Sequence, residues 1–190
     1  MKYLQFMNLF NLAGIFLGIM VILLIGASAA RSGSLEERSV SIVAEMRQNF
    51  SIPETEKITI SLASVENGAA EARKYPFKGA VIKLDENELS NLSDDELAGL
   101  MAHELAHIRV YSGMNWASLV FYGLRYEFSD SFKREVERGT DTRAIQIGFG
   151  RELGAFRNYR LRTANDADKK IIEKYYLSSE EIRNFTRGVS

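Results

Sequence analysis

The chain contains no cysteine and only two histidines among its 190 residues. Without cysteine there is no disulfide, no thiol nucleophile and no thiolate metal site. With two histidines, any chemistry that needs imidazole must use His103 and His107. Basic charge is not in excess either, with 24 Lys and Arg against 25 Asp and Glu. Lys2 is the only charged side chain in the first thirty residues, so the remainder carries about −2, the overall −1 less the +1 of Lys2. Nucleic acid is excluded as a partner on this reading, because the basic footprint that binds phosphate is missing.

What is present fits one globular domain with a short appendage. Apolar residues make up 46% and charged residues 26% of the chain, enough of each for a packed core and a solvated surface. Residues 1–34 read as the appendage and residues 35–190 as the domain. Leu9 to Ala30 is almost continuously apolar, interrupted mainly by Asn11 and Ser28, and about twenty such residues span a bilayer. The alternative is a cleavable signal peptide ending at Ala27-Ser28-Ala29. In either case the positive Lys2 precedes the run and the charges after it nearly cancel. The domain is therefore expected on the exported side, membrane-anchored or secreted.

Beyond a polar linker, Arg31 to Ser34, the pattern predicts a helix over Leu35–Phe50 and strands over Lys57–Ala63 and Gly79–Leu84, with Asn67-Gly68 as a turn. Ser93 followed by Glu96 predicts a capping box opening a helix to about Ile108. Met114 to Leu124, apolar but too short to span a bilayer, is expected to be a core or interfacial helix, with core favoured. A further helix is expected from about Ser131 to Ile147, and a last one opening at Ser178. This order predicts an α+β fold with a short antiparallel or mixed sheet, rather than a doubly wound one.

Both histidines fall in one pentapeptide, His103-Glu104-Leu105-Ala106-His107. On a helix, residues four apart share a face, so both imidazoles point the same way and can grip one zinc ion. Glu104 lies just off that face, where a carboxylate reaches a reacting water without ligating the metal. The bland alternative is a fortuitous pair of histidines, but the whole histidine complement lies within five residues on an independently capped helix. A catalytic zinc needs a third ligand, and with no histidine left it must be a carboxylate. A third histidine shortly downstream is ruled out, since Val110 and Gly113 stand where that pattern needs glycine and histidine. Glu137 and Asp141 lie four apart on the next predicted helix. There Glu137 can complete the shell and Asp141 can hold an imidazole N–H, with Glu135 and Glu127 as competitors for the metal.

His103-Glu104-x-x-His107 followed by Glu137-x-x-x-Asp141 resembles the gluzincin metallopeptidases, in particular the CAAX-prenyl endopeptidase-like branch and the compact minigluzincins. The resemblance spans roughly Lys57 to Phe156. It implies a small zincin-like domain with an active-site helix and a third-ligand helix. It implies a zinc-dependent endopeptidase with Glu104 as general base, acting on a peptide or protein substrate. It also implies that an extended substrate adds to the sheet edge above the cleft, assigned to the Gly79–Leu84 strand. The oxyanion-stabilising residue is left open among Tyr122, Tyr126, Arg143, Tyr159 and Arg160. That missing assignment keeps a second class in play, a membrane-anchored zinc-binding scaffold without peptidase activity.

Overall fold

The computed structural model describes residues 33–65 and 68–189, so the Leu9–Ala30 run and the Asn67 turn lie outside the described residues. Among the described residues no helix is long and apolar enough to cross a membrane.

The first helix, α1 (Leu35–Met46), starts where Ser34 and Glu37 cap each other's backbone, and it buries Leu35, Ile42, Val43 and Met46. It ends a turn earlier than the periodicity predicts. Three strands follow: β1 (Ile58–Leu62), β2 (Ala70–Tyr75) and β3 (Gly79–Leu84). Their order is β1-β3-β2, with β1 parallel and β2 antiparallel to β3. The fold is therefore α+β with a small mixed sheet, as the element order predicts.

Two sequence expectations fail here. Gly79–Leu84 is the central strand, hydrogen-bonded on both sides, and cannot accept another strand. Ala80, Ile82 and Leu84 are fully buried, which is why this strand reads as strongly apolar. The edge strand β2 was not foreseen. Its sequence, Ala-Glu-Ala-Arg-Lys-Tyr, alternates alanine with charge and has no β-branched residue to mark a strand.

A short helix α2 (Glu86–Leu89) leads to α3 (Asp94–Ser112), opened by the Ser93–Glu96 capping box. Leu97, Met101, Leu105 and Ile108 of α3 are fully buried beneath the sheet, each burial stabilising by about 1.5–3 kcal/mol. Helix α4 (Trp116–Phe128) buries no residue at all, so the favoured core placement of Met114–Leu124 fails and the segment is a surface helix. Then come α5 (Asp130–Ala144), a π-helical turn at Ile145–Phe149, and α6 (Gly150–Thr163). Gly148, with φ of 108°, supplies the left-handed residue that breaks the helix there while letting the chain continue into α6. Helices α7 (Asp166–Tyr175) and α8 (Ser179–Val189) complete the domain.

Helix α6 packs directly on α3, and Gly99 is what allows the close approach. A Cβ at that position would run into the Glu152 backbone carbonyl of α6. Because the obstacle is backbone, Gly99→Ala has to push the two helices apart. We expect it to cost about 1–3 kcal/mol in urea unfolding, the ordinary cost of overpacking. A midpoint equal to wild type would show that the helices are not in contact there.

Candidate metal centre

Helices α3 and α5 bring His103, His107 and Glu137 together, each less than 10% exposed. Their spacing of four residues sets both imidazoles on one face of α3, and the face of α5 carrying Glu137 and Asp141 lies against it. His103 Nε2 is 3.1 Å from Glu137 Oε2 and 3.2 Å from His107 Nε2, and His107 Nε2 is 3.5 Å from Glu137 Oε2. The competitors Glu135 and Glu127 are not in this group, which among the described residues is the cluster able to hold a metal ion.

The protons on the two rings follow from their other partners. His103 Nδ1 donates to Asp141 Oδ1 at 2.8 Å. The Thr140 hydroxyl gives its hydrogen to the Val136 carbonyl at 2.8 Å, so its oxygen can only accept, from His107 Nδ1 at 3.4 Å. Assigned in this way, both rings carry hydrogen on Nδ1 and turn a bare Nε2 toward Glu137. With both rings neutral three acceptors converge, an arrangement that either a proton on His103 Nε2 or a bound metal ion must bridge. The separations agree with a metal: donors held at about 2.0–2.1 Å around a tetrahedral ion are about 3.3–3.4 Å apart. The residues therefore fit a metal.

The surroundings are polarised for the same task. Tyr126 donates its hydroxyl to Glu137 Oε1, leaving Oε2 to face the histidines. Asp141 is fully buried and accepts from His103, from Arg157 Nη2 at 3.0 Å and from the Leu177 backbone N–H at 2.9 Å. Burial works against the charged forms, but the partners outweigh it. His103 is held up to about 10 by Asp141 and Glu137, and Glu137 is held well below the usual carboxylate range by the two imidazoles. The same negative potential that draws a proton to His103 Nε2 draws a cation, so metal uptake there must release that proton.

Glu104 behaves differently. Its side chain is buried, its Oε2 has no hydrogen-bond partner among the described residues, and burial raises its pKa above the ordinary value. An orphaned carboxylate oxygen beside a potential metal position is costly for stability and has the placement of a group waiting for a water or substrate proton. It opens on a cavity of about 60 Å³, room for a few waters, bordered by Ala70 at the start of β2, His103, Arg160, Ile172 and Tyr176.

Of the residues left open as oxyanion partners, Tyr126 is occupied by Glu137 and Tyr159 donates to the Glu88 carbonyl. Tyr122 packs edge-on to Tyr111 and Phe132. Arg160 reaches the cavity while paired with Glu88 at 2.7 Å, and Arg143 is not among the residues bordering it. Sequence reasoning missed Tyr176, whose ring lies 5.6 Å from that of His103 and is covered by the Arg157 guanidinium at 4.5 Å. It also missed Thr140 and Arg157. No motif marks them: Arg157 reaches the site only through Asp141, sixteen positions before it, and Thr140 only through the packing of α5 on α3.

Comparison of the chain with protein-family models, with curated proteins and with solved structures gave no match.

Glu137→Ala removes the carboxylate from the acceptor triangle. We expect purified wild type to hold close to one metal ion per chain by elemental analysis and the variant to lose it. Full occupancy in the variant would move the third ligand elsewhere.

Proposed function

We propose that this protein is a zinc-dependent endopeptidase of the gluzincin type. His103, His107 and Glu137 hold the zinc, Asp141 supports His103, and Glu104 is the general base. The observation that carries this reading is the unpartnered, buried Glu104 Oε2 beside the three converging acceptors. A structural zinc site would close its coordination with protein ligands and has no use for a free carboxylate next to it.

A zinc ion held by these three residues would supply a polarised carbonyl and a water acidified to near-neutral pKa. Glu104 is placed to take the proton of an attacking water and would then deliver it to the departing amine. Its raised pKa suits both halves of the task, since a strongly acidic carboxylate would take the proton poorly. Tyr176, on the cavity wall, is the group we assign to the developing oxyanion. An extended substrate adds to β2, the sheet edge that borders the cavity, and not to the central β3.

The enclosure supports a second reading, a zinc-binding protein without turnover. Asp168, Ile171 and Ile172 of α7 line the cavity, which with α7 in place admits water but no peptide. The two readings part on one experiment. Zinc-loaded full chain is incubated with unfolded protein substrates, and new amino termini are counted. Cleavage that stops on zinc chelation and returns with zinc supports the peptidase. A chain that holds zinc and cleaves nothing supports the binding protein.

A further inference from the structure

Helix α4 presents an apolar face that nothing among the described residues covers. Trp116, Val120, Leu124 and Phe128 recur every four residues and are all exposed, with Phe121 beside them and Phe128 82% exposed. The opposite face, with Leu119, Tyr122 and Tyr126, is the one turned to the protein. The twelve steps from Trp116 to Phe128, at about 1.5 Å each, make the exposed stripe about 18 Å long. Arg125 and Glu127 are the helix's charged residues, and Glu127 lies at the margin of the stripe near its end. The surface extends past α4. Tyr75, Pro76 and Phe77 of the β2–β3 turn share a groove with Met114, Trp116 and Leu119, and Phe77 stands fully in solvent at the tip. Lys78 follows it. Soluble proteins seldom leave an aromatic surface of this extent bare.

We infer that α4 and the Phe77 turn form a membrane-docking surface that sinks into the headgroup and upper acyl region of a lipid bilayer. The composition is that of an interfacial surface, with Trp and Phe on the apolar side and the exposed Lys78 beside Phe77 to reach headgroups. The length of chain outside the described residues points to the same occupant. The apolar run Leu9–Ala30 ends only four residues, Arg31 to Ser34, before α1 begins. A bilayer holding that run keeps the domain within a short tether of lipid, so a weak interfacial face is enough for docking. The inference does not rest on the metal site or on peptidase activity.

Trp116 is the only tryptophan in the chain, so its emission reports on this face alone. Full-length protein is reconstituted in vesicles of equal phosphatidylcholine and phosphatidylglycerol, with or without bromines on the acyl chains. We expect Trp116 emission to shift to the blue, to lose most of its intensity in brominated lipid, and to be protected from aqueous iodide. The double variant Phe121→Glu, Leu124→Glu should lose the bromine quenching and regain iodide access, with its circular dichroism and urea midpoint showing that the fold is kept. Insertion of Leu9–Ala30 alone would leave Trp116 in water, quenched by iodide and untouched by bromine, and that result overturns the inference. So does Trp116 shielded from both quenchers in a chain that sediments as a dimer, which would assign the face to a second copy.

Discussion

On the proposed peptidase reading, Glu104→Gln should keep its bound metal and lose nearly all hydrolysis. The substitution preserves shape and hydrogen-bonding reach but removes the ability to take a proton. General-base catalysis typically contributes about 10²–10⁴-fold, so turnover should fall by at least that range. Zinc content should stay near wild type because Glu104 is not one of the three converging ligands. The amide also replaces a buried, partnerless carboxylate, so the variant should unfold at equal or higher urea concentration. The measurements are initial cleavage rates at fixed zinc, zinc-to-protein ratio and a urea midpoint. Near-normal turnover would remove Glu104 from the mechanism. Loss of zinc with loss of activity would instead make it a ligand.

Asp141→Asn should damage the fold and the metal site together. Asp141 is the fully buried anion that neutralises Arg157, orients His103 and anchors the backbone at Leu177. Arg157 is itself 3% exposed, and its Nε has no partner, so the asparagine variant strands a buried cation. Breaking one partner from a buried pair costs about 3–5 kcal/mol, a large part of the roughly 5–15 kcal/mol that holds a domain folded. Zinc affinity should fall about 10–100-fold as His103 loses the carboxylate that sets its tautomer. Acid should act on wild type in the same way. Burial alone would raise the Asp141 pKa, but Arg157 and His103 lower it below the ordinary 3.8. Its contribution is therefore complete above that value and is lost as pH falls through the lowered one. An Asp141→Asn urea midpoint equal to wild type would mean that Arg157 is solvated in the protein.

Several parts of this molecule were legible without any coordinates because they depend on neighbours in the chain. The Ser93–Glu96 capping box sets the start of α3 by local hydrogen bonds, and a spacing of four places His103 and His107 on one face whatever the helix packs against. The short apolar alternation of β1 and the run of β3 likewise announce strands, and the order of elements announces α+β. None of these needs a distant partner.

What only the tertiary structure decided depends on residues far apart. Which carboxylate meets the histidines is set by how α5 crosses α3, and the crossing selects Glu137 over Glu135 and Glu127. Which strand lies at the edge is set by β2 pairing with β3, and a strand of alanine and charge carries no local mark of that. An apolar segment at Trp116–Phe128 reads the same whether it is core or surface, since hydropathy records composition and not what lies opposite. The tyrosine beside His103 and the arginine beneath Asp141 come from the last third of the chain, brought in by α6 and the turn after α7. Local sequence determines elements through short-range hydrogen bonds and periodicity. The site's second layer and the exposed face exist only once long-range packing has chosen which surfaces meet.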